Sequence, residues 1–222
     1  MSDDLQELFA KAKGVAASAR ITWSHKMGRP GEPAPAERWG LDALRGRLVE
    51  LSARGATATL TAAIELVIEA QQAAEPVAWV TLGNATFYPP DAADSGVDLA
   101  ALAVVRVQGT TAAARAAERL LRSGGFGLVV LDFGGGGGTV EVPIAHQGRL
   151  ITLAQAHDAA VVCITEKPHE APSIGSLVSL RAEALRLHAP EHGYHVTLRV
   201  LKDKRQGPGW TRTIMRRGPT GL

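Results

Sequence analysis

Short apolar runs alternate with helical patterns from Gly46 onward. Runs that are apolar throughout are typical of parallel strands covered on both faces. Strands are predicted at residues 47–51, 77–82, 104–107, 128–132 and 160–165. A turn over residues 52–57 leads into a helix that continues to Ala70, and further helices are predicted at 111–122 and over 150–157. The pattern predicts an α/β fold with a mostly parallel sheet flanked by helices.

The last part of the chain has a different periodicity. Residues 179–186 and 195–201 alternate apolar and polar positions, which is typical of half-exposed antiparallel strands. We therefore expect antiparallel strands at the C-terminal end of the sheet.

The first residues predict a helix that is separate from this core. Ser2 can cap it, and Asp3 and Asp4 are favourable in its first turn. One apolar stripe follows at helical spacing and marks a partner-binding surface. Its residues are Leu5, Leu8, Phe9 and Ala12. The stripe can fold back on its own domain or dock on another protein.

Proline and glycine divide the chain into segments. Residues 1–20 form the N-terminal helix, and residues 21–37 form a Pro/Gly linker that tethers it. The α/β core spans residues 38–210, and residues 211–222 form a basic tail. Trp23 and Trp39 flank the linker, so they can be exposed anchors for a partner or unremarkable aromatics.

Composition fits a cytoplasmic globular protein. The chain has 222 residues, of which 45% are hydrophobic and 21% charged. The single Cys163 is predicted to pack in the core and excludes a disulfide framework or a Cys-based zinc site. The five histidines between residues 157 and 195 lack metal-site spacing, so no metal is expected. No apolar run reaches the roughly 18 residues of a membrane span.

Basic residues concentrate near the C-terminus around Trp210. They predict contact with DNA or with an acidic partner, and the alternative is a solvated tail. The candidates for this contact are Lys202, Lys204, Arg205, Arg212, Arg216 and Arg217.

The first strand-turn-helix is where such folds bind a nucleotide phosphate. A Gly-rich turn, a lysine and a magnesium-binding hydroxyl are needed there. Residues 46–61 (GRLVELSARGATATLT) resemble the Walker A region of RecA recombinases. The alignment puts Ala58 at the turn glycine, Thr59 at the lysine and Leu60 at the hydroxyl. The resemblance thus implies a degenerate phosphate loop that binds no nucleotide or other cofactor and catalyses nothing.

The resemblance to RecA covers about residues 38–210. Residues 96–99 (GVDL), 117–132 and 200–204 follow the family's order, with Asp132 in the Walker B position and Gly83 near the place of the catalytic glutamate. The loops expected to contact DNA, 134–148 and 166–175, are short, and Lys167 is their one Lys or Arg. Thr165 and Glu166 stand in place of an Asn-Gln pair that couples nucleotide to DNA.

Within this superfamily the chain resembles the ImuA family of the bacterial mutagenesis cassette. The matching segments are 78–80 (AWV), 87–90 (FYPP) and 202–210 (KDKRQGPGW). That resemblance implies a non-catalytic role in SOS-induced translesion synthesis. The implied partners are an ImuB-like Y-family protein and an error-prone DnaE-type polymerase, with RecA as a further expected partner. Self-association and DNA contact are left open.

Two alternatives of other classes remain. A weak, divergent NTPase would use Thr59, Thr61 and Asp132, with Arg54 supplying the lost positive charge. A DNA-binding recombination modulator of the RecA family would use the basic C-terminus.

Overall fold

The computed structural model describes residues 38–217, except for residues 56, 84–86, 135–139 and 190–192. The predicted N-terminal helix and linker, including Trp23, lie outside the described residues. So do most of the glycine run after Gly134 and the last residues of the expected tail.

Eight strands of the described chain form one sheet. Their order is β3-β2-β4-β5-β1-β6-β7-β8. All pairings from β3 to β6 are parallel, and β6–β7 and β7–β8 are antiparallel. The predicted α/β class, with antiparallel strands at the C-terminal end, is confirmed. The strands are β1 Leu48–Ala53, β2 Val77–Leu82, β3 Leu102–Val107, β4 Leu128–Asp132, β5 Ala160–Glu166, β6 Leu180–Ala189, β7 Gly193–Asp203 and β8 Thr211–Arg217.

Helices cover the two faces of the parallel strands. Those of the described residues are α1 Leu41–Leu44, α2 Thr59–Gln72, α3 Pro89–Asp94, α4 Thr110–Arg122 and α5 Ile144–Ala156, with a 3₁₀ turn at Leu99–Ala101. Residues of α1, α2 and α3 enter one hydrophobic cluster, and residues of α4 and α5 enter the other. None of these helices has the length and apolar character needed to cross a membrane.

The connections between the strands create a crevice at the carboxyl ends of β1 and β5. The chain moves from β1 to β2 and β3 on the α2 face, and returns through β4 and β5 on the α4–α5 face. It then passes β1 to reach β6. The chain therefore leaves β1 and β5 in opposite directions at their neighbouring carboxyl ends. Open α/β sheets bind ligands at such a point. In this register Ser52 pairs with Thr165 and Ala53 with Glu166.

Several element boundaries differ from the sequence prediction, and two of the differences involve buried polar side chains. Ser52 and Ala53 belong to β1 and not to a turn, because the Ser52 hydroxyl is buried and accepts a hydrogen bond from Arg181 Nε at 3.0 Å. Helix α5 begins earlier than its apolar pattern, at Ile144. Its polar Gln147 is buried and donates from Nε2 to the Val142 carbonyl at 2.6 Å.

The expected basic tail and the expected exposed tryptophan are both part of the folded body. Residues 211–217 form β8, an edge strand that pairs with β7, and not a solvated tail. The Trp39 side chain is 1% exposed within the α2-side cluster. The interpretation of Trp39 as an exposed anchor is therefore wrong, because the residues that follow the linker pack directly into the core.

Candidate functional site

A small cleft lies at the carboxyl ends of β1 and β5. Its volume is about 180 Å³, and its walls are residues 57–61, Gly134, Ala53 and residues 164–166. It thus contains the three positions aligned with the phosphate loop: Ala58, Thr59 and Leu60. Ligand pockets usually occupy about 300–1,000 Å³, so the cleft is small for a nucleotide.

Backbone amides of this turn are already hydrogen-bonded within the protein. The Ala58 N–H donates to the carbonyl of Ala184 in β6 at 3.0 Å, and Thr57 forms a β-bridge with Leu185. The Thr59 N–H donates to the Thr57 hydroxyl at 3.1 Å. A phosphate loop works by turning such amides toward the ligand. Here two consecutive amides serve the fold instead.

The turn's side chains do not supply the missing charge. Ala58 and Thr59 are buried, and Leu60 packs against the α2-side core. The Thr59 hydroxyl lies 3.0 Å from the Thr57 hydroxyl. Arg54 is exposed on the turn after β1 and does not line the cleft.

Lys167, in the loop over residues 166–175, forms an ion pair with the buried carboxylate of Glu50. Its Nζ lies 2.5 Å from Glu50 Oε1 and donates to the Pro172 carbonyl at 2.6 Å. Burial lowers the pKa of Lys167, and the hydrogen bond and charge of Glu50 offset part of that effect. The lysine is therefore committed to the fold and not presented to a phosphate.

The sequence interpretation missed the role of Glu50. Its carboxylate is fully buried in β1 and accepts hydrogen bonds from the Thr165 hydroxyl at 2.9 Å and from the Ile174 N–H at 3.0 Å. A signal was present, since a glutamate inside an apolar strand requires buried partners. The partners could not be named because they lie far along the chain.

Asp132 lies at the end of β4 and is enclosed. Its Oδ1 accepts from the Gly134 N–H at 3.0 Å, and its Oδ2 accepts from Trp79 Nε1 at 3.3 Å. Burial raises the pKa of Asp132, and the hydrogen bonds from Gly134, Trp79 and Thr81 partly oppose this. Gly134, and not Asp132, lines the cleft. Gly83, near the expected place of the catalytic glutamate, is an exposed turn residue after β2.

Two arginines of β8 contact one carboxylate of α2. Arg216 Nε donates to Glu65 Oε1 at 2.8 Å, and Arg212 Nη1 lies 3.9 Å from Glu65 Oε2. Glu65 belongs to α2, so these two arginines clamp β8 onto a helix. The side chain of Arg217 lies outside the described residues.

Two cations that precede β8 contact backbone carbonyls. Lys204 Nζ donates to the Ser176 carbonyl at 3.0 Å, and Arg205 Nη2 donates to the Arg45 carbonyl at 3.3 Å. Burial lowers the pKa of Lys202, and the charge of Lys204 lowers it further. Lys204 and Arg205 are exposed and keep their charge in these contacts, and the predicted contact with DNA or an acidic partner stays a prediction.

Other candidate chemistry is sparse among the described residues. Cys163 is fully buried in β5, and burial raises the pKa of its thiol. The described part of the chain holds no group of three or more His, Cys, Asp or Glu residues that could bind a metal ion. The cleft between β1 and β5 thus remains the main candidate site.

Comparison with known proteins adds no identity to this geometry. No protein-family model matches the chain, and no curated protein matches it. The functional interpretation therefore depends on the residues and contacts of the cleft and on the sequence motifs.

Proposed function

We propose that the chain is a non-catalytic, RecA-like accessory protein of DNA-damage-induced translesion synthesis that acts through protein–protein contacts. The observation that supports this proposal is that backbone amides of the turn aligned with the phosphate loop are already hydrogen-bonded within the protein. The Ala58 N–H donates to the Ala184 carbonyl, and the Thr59 N–H donates to the Thr57 hydroxyl. A turn whose donors are used internally cannot surround a phosphate without breaking contacts to β6. The fold is then retained for its surfaces.

Sequence motifs support the choice of superfamily. The order of segments 46–61, 117–132 and 200–204 follows that of RecA, and the parallel sheet extended by antiparallel strands agrees with that resemblance. The proposed partners are an ImuB-like Y-family protein and an error-prone DnaE-type polymerase, with RecA as a third. The cassette resemblance in residues 78–80, 87–90 and 202–210 supports this assignment.

The N-terminal stripe is the proposed contact with RecA. Leu5, Leu8, Phe9 and Ala12 would dock on a RecA subunit, and the docked chain would limit filament growth because it presents no working nucleotide site to the next subunit. Deletion of residues 1–20 should therefore abolish capture of the chain by purified RecA. The melting temperature of the core should stay unchanged.

Two single substitutions sharpen this test. Phe9→Ala removes the largest apolar side chain of the stripe and should weaken capture strongly. Gln6→Ala changes a polar position between stripe residues and serves as the matched control. Capture that survives both the deletion and Phe9→Ala would reject docking through this segment.

A further inference from the structure

An open groove lies along α5 beside Arg122, at the end of α4, on the face opposite α2. Its volume is about 440 Å³. Ile144, Ala145 and Leu153 form an apolar floor, and Ile144 is 63% exposed. Gly148 leaves room for an incoming side chain. The groove belongs to neither the cleft at β1 and β5 nor the basic C-terminal strands.

Arginines border this groove. Arg122 and Arg149 line it, and the Arg149 side chain is 48% exposed. Arg115 and Arg119 are exposed and precede Arg122 at helical spacing, so they continue the basic edge along one side of α4. Arg115, Arg119 and Arg122 form no ion pair with a carboxylate of the described residues.

Among the described residues, the acidic side chains of this region pair with Arg149 but not with Arg115, Arg119 or Arg122. Between residues 102 and 158, the exposed carboxylates are Glu141 and Asp158. Asp158 lies 3.7 Å from Arg45 Nε. Cations in the last turn of a helix are favourable to its dipole, which accounts for Arg119 and Arg122 but not for Arg115 or Arg149.

A buried cluster fixes the geometry of the groove. Glu118 of α4 accepts hydrogen bonds from His146 Nδ1 at 2.5 Å and from Arg149 Nε at 3.0 Å, both on α5. Arg149 Nη2 also lies 3.1 Å from His146 Nδ1, so the three side chains contact one another. The cluster joins the two helices and holds Arg149 at the rim, so the groove is formed before any partner arrives.

We propose that this groove binds an acidic amphipathic helix of a protein partner. Apolar side chains of that helix would cover Ile144 and Leu153, and its Asp and Glu residues would face Arg119, Arg122 and Arg149. An apolar floor with a basic rim matches such a segment in both features. A nucleic-acid backbone would use the arginines and leave the exposed Ile144 uncovered, so we favour the protein helix.

The test uses two display libraries of short helical peptides and the full-length chain as bait. In both libraries the apolar positions at i, i+3, i+4 and i+7 vary among Leu, Ile, Phe and Met. The other positions carry Glu in the first library and Lys in the second. We expect enrichment from the Glu library alone. Enrichment of neither library, or of both equally, would overturn the proposal.

Variants of the bait locate the binding of enriched peptides. The double substitution Arg119→Glu and Arg122→Glu should weaken binding about tenfold or more, because reversed charges repel the acidic helix. Ile144→Ser should weaken binding as well, since it removes the apolar floor. Arg54→Glu, at an exposed arginine on the turn after β1, is the matched control and should bind as the parent does.

Folding and competition controls complete the design. All altered side chains are exposed, so circular dichroism and melting temperature should match those of the parent. Loss of binding in the arginine variant but not in Ile144→Ser, together with competition by a single-stranded oligonucleotide, would identify a site for any polyanion and overturn the proposal. Equal binding by all variants would place the peptide elsewhere and do the same.

Discussion

Arg47 and Asp203 form a buried ion pair that joins distant parts of the chain. Arg47 Nη2 donates to Asp203 Oδ1 at 2.6 Å, and both side chains are buried. Arg47 Nε also donates to the Ser179 hydroxyl at 3.0 Å, and the Arg205 N–H donates to Asp203 at 2.9 Å. The pair therefore fixes the start of β1 against the end of β7, across β6.

Asp203→Asn should destabilise the protein by about 3 kcal/mol, because it leaves a buried guanidinium without its counter-charge. Urea unfolding at pH 7 measures the change in the free energy of unfolding. The matched control is Asp158→Asn, at an exposed carboxylate 3.7 Å from Arg45, which should cost less than about 1 kcal/mol. Similar losses for both variants would contradict a special role for the buried pair.

The same pair should make stability depend on pH. Burial acts to raise the pKa of Asp203, but hydrogen bonds from the Arg205 N–H and from Arg47, with the charge of Arg47, lower it below its ordinary value of 3.8. A depressed folded pKa gives stability that is complete above 3.8 and is lost as pH falls through the folded pKa. Between pH 5 and pH 2, the parent should therefore lose stability more steeply than Asp203→Asn. Parallel profiles would contradict this linkage.

At the scale of elements, the loop between β5 and β6 is held against the sheet by buried side chains. Arg181 Nη2 donates to the Pro168 carbonyl at 2.9 Å, its Nη1 donates to the Ala171 carbonyl, and its Nε donates to the Ser52 hydroxyl. Glu50 binds the same loop through the Ile174 N–H. A loop anchored in this way is poorly suited to reorganise around DNA.

Arg181→Lys should release this loop while preserving the charge, because an ammonium cannot reproduce the three directed donations of the guanidinium. Hydrogen-exchange mass spectrometry should show faster amide exchange over residues 168–175. Arg186→Lys, at an exposed arginine of the same strand, is the matched control and should leave that exchange unchanged. Unaltered loop exchange in Arg181→Lys would show that Arg181 does not anchor the loop.

Buried elements were predictable from the sequence where burial is uniform. The bounds of β2 and β4 agree with their apolar runs, because every position of such strands faces hydrophobic cover. β1 was ended too early because Ser52 is polar yet paired with Arg181, a partner far along the chain. β8 was missed because its cations are balanced by Glu65 on α2, which only the folded chain brings near.

The candidate site likewise has local features that the sequence shows and contacts between distant segments that it does not show. Ala58, Thr59 and Leu60 are contiguous, so the absence of a lysine among these three positions is visible in the sequence. The bond from Ala58 to Ala184, and the cluster of Glu50, Thr165 and Lys167, depend on strand pairing between distant segments. In the sequence alone, the only sign of these contacts was the charged Glu50 within the apolar run of β1.

For the whole molecule, the small net charge and the engagement of several C-terminal cations argue against strong non-specific DNA binding. The formal net charge is +2, and several C-terminal cations are engaged internally, including Arg199, which lies 2.5 Å from Glu183. We expect single-stranded DNA to bind with a dissociation constant of about 10 μM or weaker at physiological salt. Fluorescence anisotropy at two salt concentrations measures it. Nanomolar binding that weakens steeply with salt would contradict this expectation.

We expect the turn over residues 57–61, at the place of a phosphate loop, not to bind nucleotide. Isothermal titration calorimetry of the full-length chain with Mg-ATP tests it most directly. We expect no binding heat, because Ala58 and Thr59 donate their amides within the protein and no lysine of the described residues lines the cleft. A dissociation constant below about 100 μM, roughly −5.5 kcal/mol, would contradict it and favour a divergent NTPase that uses Thr61 and Asp132.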